Sequence, residues 1–162
     1  MSTPKDHAGV IAPPPLLALA AILIGLALDR LLPAYVLRVL LTRDERIVIG
    51  AILILVCAGL GLPALWAFRK AGTHVEPWKP ASALVTAGIF RYVRNPMYVG
   101  LMLFLAGLAF VLASDWMLVM TIVFALVIHF GVVKREERYL AAKFGEPYRH
   151  YMEEVPRYGW PV

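Results

Sequence analysis

The chain has 162 residues, 60% of them hydrophobic and only 17% charged, with a formal net charge of +5. Soluble domains run nearer roughly 45–50% apolar, so the composition excludes an ordinary soluble core, and the length supports one domain rather than two. The basic residues flank apolar runs, which points to headgroup anchoring rather than to nucleic acid as the partner. A lone cysteine, Cys57, sits inside an apolar run, where it can form no intrachain disulfide and reads as a small packing residue.

The amino-terminal stretch carries Lys5, Asp6 and His7, then Pro13, Pro14 and Pro15. Its basic start and apolar continuation look like a signal peptide, but no small-residue cleavage site follows Leu28, so an uncleaved first span is expected over 14–32. The apolar stretch 31–41 is interrupted by Arg38 and is too short to span, which suits a re-entrant or interfacial piece. A second, charge-free span is expected over 47–68, bent or broken near its end by Gly59, Gly61 and Pro63. Two more follow over 96–113 and 116–133, joined at Ser114-Asp115, a connection short enough to force an antiparallel hairpin. The sequence therefore predicts an all-α integral membrane protein with about four transmembrane helices, one further short or re-entrant segment and a helical carboxyl tail.

Most of the 16 basic residues lie in the 69–94 loop or in the tail after Val133, and the hairpin puts both on one side. That side is expected to be cytosolic, in the inner membrane of a cell. In the tail, Gly145 is a stop signal and Pro147 suits the first turn of a second short helix, whose Tyr148, Tyr151, Met152 and Val155 give it an apolar side.

Two clusters can carry chemistry. Arg91-Tyr92-Val93-Arg94-Asn95-Pro96-Met97-Tyr98-Val99-Gly100 packs guanidiniums, an amide and phenols into one interfacial turn. Pro96 keeps Asn95 out of the helix, Tyr98 and Gly100 fall on the first turn, and an arginine there can hold a carboxylate in bidentate fashion. The plainer reading is an interfacial anchor. The second cluster is His129, Glu136, Glu137 and Lys143, of which His129, Glu136 and Lys143 recur every seven residues and form one stripe on a continuous helix. Its plainer reading is a solvated charge run, although an ionisable residue such as His129 inside a span usually faces the bundle. The sequence shows no histidine pair or cysteine cluster at metal spacing, so no metal is expected.

The run Arg94-Asn95-Pro96-Met97-Tyr98-Val99-Gly100, followed by Glu136-Glu137-Arg138-Tyr139-Leu140, Phe144-Gly145, Tyr148, Tyr151 and Val155-Pro156-Arg157, resembles the isoprenylcysteine carboxyl methyltransferase and phospholipid methyltransferase superfamily. The resemblance implies a single membrane methyltransferase domain over 1–162, with S-adenosylmethionine held by the part near 72–157. It implies that Arg94, Asn95, Pro96, Tyr98, Gly100, Glu136 and Glu137 bind the cofactor; His129, from its place within the span, is a further candidate for cofactor binding, and Glu137, Lys143 and Arg94 are the candidates for catalytic roles. Asn95 stands where the isoprenylcysteine branch usually has histidine, whereas the phospholipid branch carries Asn-Pro-Met-Tyr and adds Gly59 and Gly61 as candidate contacts. The implied partner is a lipid or lipidated acceptor entering from the bilayer: a prenylated cysteine carboxylate, a lipid amine, or a small lipophilic thiol or alcohol. The rival from another class is a non-catalytic membrane scaffold whose basic tail binds lipid or a partner protein.

Overall fold

The computed structural model describes residues 6–159, and among them every regular element is helical. In chain order these are α1 (Pro14–Leu31), α2 (Val36–Leu40), α3 (Arg43–Lys70), α4 (Pro96–Leu112), α5 (Asp115–Ile128), α6 (Lys134–Phe144) and α7 (Glu146–Glu154). A 3-10 turn, Gly88–Arg91, precedes α4, and a π-helical turn, His129–Val133, joins α5 to α6 in one continuous rod.

Three rods, Pro14–Leu31, Arg43–Lys70 and Asp115–Phe144, are long and apolar enough to cross a membrane. The fourth, α4, has 17 residues and at about 1.5 Å per residue falls somewhat short of a hydrocarbon core about 30 Å thick. It lies between α3 and α5, while α1 packs along α5. Leu19, Leu23, Leu55, Leu62, Ile122, Leu126 and Phe130 point outward and are exposed, as a lipid-facing surface requires.

Because lipid solvates apolar side chains as well as protein does, the helices gain most by approaching closely at small residues. A Cβ on Gly107 would lie 2.8 Å from the Gly50 carbonyl oxygen, and one on Gly50 would lie 2.6 Å from that of Gly107, so α3 and α4 touch backbone to backbone. Gly25 meets the Met117 backbone in the same way, fixing α1 on α5.

The expected break in the second span does not occur. Helix α3 begins four residues earlier than expected, at a capping box in which Thr42 Oγ1 accepts from Glu45 N–H while Glu45 accepts from Thr42 N–H, and it runs unbroken through Pro63 to Lys70. The carbonyl that the proline ring crowds belongs to Gly59, whose surroundings are open, so the backbone can yield there without ending the helix. The stretch after α1 forms no span: the five-residue α2 exposes Val36, Val39 and Leu40 and is fastened by Asp115, which accepts from the Val36 and Leu37 N–H groups at 3.0 and 2.9 Å. In the α4–α5 turn Ser114 Oγ–H donates to the Asp29 carboxylate, and at the start of α5 Trp116 Nε1–H donates to the Leu32 carbonyl.

The Gly50–Gly107 contact yields a stability prediction. Gly107→Ala should cost about 1–3 kcal/mol in detergent-solubilised protein, the usual range for overpacking. Gly59→Ala, where a Cβ meets nothing within 4 Å, should be neutral or slightly stabilising through helix propensity. Thermal unfolding of the two variants side by side checks this; equal shifts would mean that the helices separate at no cost.

Candidate functional site

At one end of the bundle a cavity of about 370 Å³ opens between the starts and ends of the helices, within the size range of small-molecule sites. Its apolar part is walled by Cys57, Gly61 and Phe68 of α3, by Met97 and Leu101 of α4, and by Trp78, Leu84, Val85 and Phe90 of the loop after α3. Its polar part is built from Arg94, Asn95, Tyr98, Glu136, Glu137, Tyr148 and Tyr151.

Each polar residue is placed by an identifiable local feature. Pro96 starts α4 and is fully buried, so Asn95 and Arg94 lie in the non-helical approach to the helix. There the Arg94 N–H donates to the Pro156 carbonyl at 3.0 Å and Asn95 Nδ2–H donates to the Arg157 carbonyl at 3.2 Å, which ties the tail to the start of α4. Helix α7 lays Tyr148, Tyr151 and Val155 into an apolar cluster with Ala64, Ala67 and Phe90, so the amphipathic tail rests on the bundle. Tyr151 O–H donates to the Phe90 carbonyl at 2.7 Å.

The two adjacent glutamates have different surroundings. Glu137 is 9% exposed and sits between two guanidiniums: Arg157 donates to both its oxygens at 2.8 and 2.7 Å, and Arg94 Nη1 lies 2.9 Å from Oε1. The bond to Glu137 holds the Arg157 guanidinium even more firmly protonated than usual. Burial, with the Glu137 charge adding to it, pushes the Tyr148 phenol far up. Tyr158 is pushed up to about 12, chiefly by burial. Both phenols therefore stay neutral donors at any physiological pH. Glu136, by contrast, accepts one hydrogen bond, from Tyr98 O–H at 2.8 Å, and among the described residues no cation reaches it within ion-pair distance.

Arg94 is the buried group with capacity to spare. Its side chain is 9% exposed, yet among the described residues neither Nε nor Nη1 has an acceptor in hydrogen-bond geometry, the close contact with Glu137 notwithstanding. Buried N–H donors are rarely left so, and Arg94 is one of the residues that line the cavity.

Of the residues singled out by the sequence, the cavity brings together Arg94, Asn95, Pro96, Tyr98, Gly100, Glu136 and Glu137, with Gly61 at its far wall. It does not bring in His129, Lys143 or Gly59. The expected single stripe of His129, Glu136 and Lys143 is broken by the π turn, whose extra residue rotates His129 relative to the helix beyond it. His129 Nδ1 pairs with Tyr158 Oη at 2.8 Å, and Lys143 reaches out of the bundle to Asp6 at 2.6 Å. Among the cavity-lining residues, the 75–78 segment escaped sequence reasoning, because a loop carries no periodicity. The role of Arg157, beside the cavity, escaped it too, because a bidentate partner twenty positions away leaves no local signal.

A phospholipid methyltransferase family model matches residues 45–147. A 76-residue stretch is 40% identical to the protein-S-isoprenylcysteine O-methyltransferase of Schizosaccharomyces pombe, covering 45% of this chain and 31% of that protein. Another alignment, of 62 residues, is 39% identical to an uncharacterized protein of Haemophilus influenzae, covering 38% of this chain and 98% of that one. No solved structure matches.

The unequal surroundings of the glutamates predict unequal losses. Glu137→Gln leaves two buried guanidiniums facing an amide and should destabilise the protein by about 3–5 kcal/mol, the usual result of breaking a buried pair. Glu136→Gln removes only a charged acceptor from Tyr98 and should cost about 1 kcal/mol. Denaturant or thermal titration in detergent reads both, and an equal loss would contradict the asymmetry.

Proposed function

The chain belongs to the phospholipid methyltransferase family, and we propose that it is an S-adenosylmethionine-dependent methyltransferase whose acceptor is a lipophilic molecule drawn from the bilayer. The observation that carries this reading is the cavity wall on which the buried Arg94, whose Nε has no acceptor among the described residues, stands with Glu136 beside a largely apolar and aromatic lining. A guanidinium in that state fits a carboxylate ligand, and Glu136 beside it, without a cation of its own, fits hydroxyls or an ammonium. These complement the ends of the methyl donor, and the aromatic walls of Phe68, Trp78 and Phe90 suit its cationic centre. When bound, the donor supplies a methyl group already activated by a sulfonium, so the protein mainly aligns the reactants and excludes water.

The chain's own residues then have separable tasks. Arg94 orients the donor's carboxylate, and Glu137 with Arg157 holds Arg94 in place. Tyr98 keeps Glu136 directed at the cavity. A carboxylate acceptor would need no proton removed. An amine acceptor would, and Glu136 is the cavity carboxylate free to take that proton as the nitrogen's lone pair is released. Asn95, bonded to the Arg157 carbonyl, keeps the tail against the start of α4. The acceptor enters sideways, since a lipid tail has no reason to leave the hydrocarbon. The 69–94 loop and the tail, rich in basic residues, face the cytosol of the inner membrane in this reading. A scaffold with a basic lipid-binding tail accounts for the composition but gives no reason for a cavity with a buried guanidinium and, among the described residues, a cation-free carboxylate on its wall.

Binding tests the proposal directly. S-adenosylhomocysteine should bind saturably and raise the melting temperature. Arg94→Lys, which keeps the charge but loses the planar fork, should weaken that binding roughly ten- to a hundredfold, whereas Arg38→Gln at the other end of the bundle should not. No saturable binding by the wild type would favour the scaffold. Transfer of a labelled methyl group, followed into lipid, membrane-protein and small-molecule fractions, assigns the acceptor.

Topology is tested separately. Single cysteines introduced at Lys79 and Arg149, in a Cys57→Ser background, should resist an impermeant reagent in spheroplasts and react after lysis. Labelling of either one from outside would reverse the orientation.

A further inference from the structure

We propose that Tyr139, Lys143 and Asp6 form a latch that holds the loop after α3 closed over the cavity, so that these three act as positioning residues for retention of the ligand. The inference about the ligand rests on the reading of the cavity as the methyl-donor site; the latch itself does not.

The loop has a firm base and a weakly tethered tip. At the base Thr73 Oγ1 accepts from the Ser82 and Ala83 N–H groups at 3.0 and 3.4 Å, and Ser82 Oγ–H donates to the Gly72 carbonyl at 3.2 Å. On the returning limb, Leu84 and Val85 pack against the cluster of Phe90, Tyr148 and Tyr151. The outgoing limb supplies Val75, Glu76, Pro77 and Trp78 to the cavity wall, and its Glu76–Lys79 pair is internal to the loop. Among the described residues, one hydrogen bond joins positions 74–86 to an element outside the loop: Ala81 N–H donates to Tyr139 Oη at 3.1 Å.

That phenol is fixed from two further directions. It accepts from Lys143 Nζ–H at 3.1 Å and donates to Asp6 Oδ1 at 2.8 Å, so one donor and two acceptor positions are all in use. Lys143 closes the triangle on the Asp6 carboxylate at 2.6 and 2.8 Å. Asp6 is itself positioned, because the segment it begins is bound along the α5–α6 rod. Arg135 Nη1–H donates to the Gly9 carbonyl at 2.7 Å, and the Ile11 N–H donates to that of Gly131 at 3.3 Å. The Ile11 side chain occupies the space left by the absent Cβ of Gly131, where any Cβ would come within 2.4 Å of it. The same segment then delivers Pro14 and Pro15 to the cavity wall. Three parts of the wall, from the amino-terminal strap, α6 and the loop, are thus joined at a single hydroxyl.

The geometry also gives Lys143 a place without contact with the cavity. Its charge fastens the strap that holds the phenol, and the phenol holds the loop.

Hydrogen–deuterium exchange on the full chain in detergent, with no ligand added, tests the latch. Tyr139→Phe keeps the ring and removes the hydroxyl. Peptides covering 74–86 should then exchange at least fivefold faster, while those from α3 and α5 keep their rates. Asp6→Asn leaves the Ala81 bond but loosens its anchor, and should give a smaller acceleration in the same peptides. In parallel, S-adenosylhomocysteine should leave Tyr139→Phe three- to tenfold faster than it leaves the wild type, the usual range for one lost hydrogen bond. Unchanged exchange at 74–86, or an acceleration spread equally over α3 and α5, would overturn the latch. A loosened loop in a protein that binds no S-adenosylhomocysteine even as wild type would uphold the latch and overturn the assignment of the cavity.

Discussion

A carboxylate removed from water inside an apolar bundle must be neutralised or it will not stay charged, and the way Glu137 is neutralised determines much of this molecule. Its two guanidinium partners come from chain segments far apart in sequence, Arg94 ahead of α4 and Arg157 after α7. Holding both requires the tail to return to the start of α4, and the bonds from Arg94 N–H to the Pro156 carbonyl and from Asn95 Nδ2–H to the Arg157 carbonyl complete that return. Helix α7 is thereby pressed onto α3 and the 3-10 turn, where its tyrosines become the floor of the cavity. The ion triad therefore stands behind the cavity more than within it. Its contribution is to specify one arrangement, since each alternative docking of the tail would leave a buried charge alone.

The triad also explains why neighbouring glutamates differ. Adjacent positions on a helix point about 100° apart. With both guanidiniums committed to Glu137, Glu136 is left with a single phenol donor, and its residual capacity faces the cavity. The π turn ahead of α6 makes this orientation possible. Without the added residue in that turn, the register of α5 would carry through into α6, and residues such as Glu137 would be rotated away from Arg94. Such turns are frequent at functional sites, and here the cause is visible: the rod must face its apolar side to α1 and α4 over α5, then turn a charged pair inward over α6.

Hydropathy made the four apolar rods legible, because a run of apolar residues without charge has few other solutions. Asn95-Pro96 and Gly145-Glu146-Pro147 gave helix boundaries that lie where the sequence put them, since proline and glycine act on the local backbone. The bounds of α3 were less legible. Thr42 and Glu45 are a readable capping box, but charges at Arg43, Asp44 and Arg46 mask it when only apolar runs are sought. Pro63 reads as a break in isolation, and only the open surroundings of Gly59 let the helix pass through it. The candidate site was legible as a set of residue types and not as a set of contacts. The arginine-bearing turn before α4 and both glutamates can be picked out of the sequence, but which glutamate Arg94 faces, and that Arg157 joins it there, depends on the path of the tail. His129 and Lys143 mark the same boundary from the other side. The heptad spacing of His129 to Glu136 holds only on an uninterrupted α-helix, and the π turn between them sends His129 to Tyr158. Lys143 keeps its register on α6, but two turns beyond Glu136 it reaches the amino-terminal strap instead of the cavity.

The position of the cavity follows from the same physics as its chemistry. Guanidinium and carboxylate groups are tolerated where the helices end, because loops and tail can fold back there to satisfy them, whereas at mid-membrane no such partners exist. An apolar acceptor, conversely, is most stable in the hydrocarbon. Under the proposed function the two requirements meet at the membrane boundary, in a recess whose polar end is covered by loop and tail and whose apolar end borders the helices. The lining has that division: Glu136, Glu137, Arg94 and the tyrosines lie against the tail, with Cys57, Gly61, Met97 and Leu101 along the rods. The short α4 contributes to the division. Starting at Asn95-Pro96 and ending 17 residues later, it leaves its first turn, with Tyr98 and Gly100, at the level of the recess. Gly100, packed against the Cys57 backbone with a Cβ position 3.4 Å from its carbonyl oxygen, holds α4 close enough to α3 to keep that end of the recess narrow. Under the proposed function this division places the acceptor's apolar tail along the rods and the compact polar methyl donor against the tail of the chain.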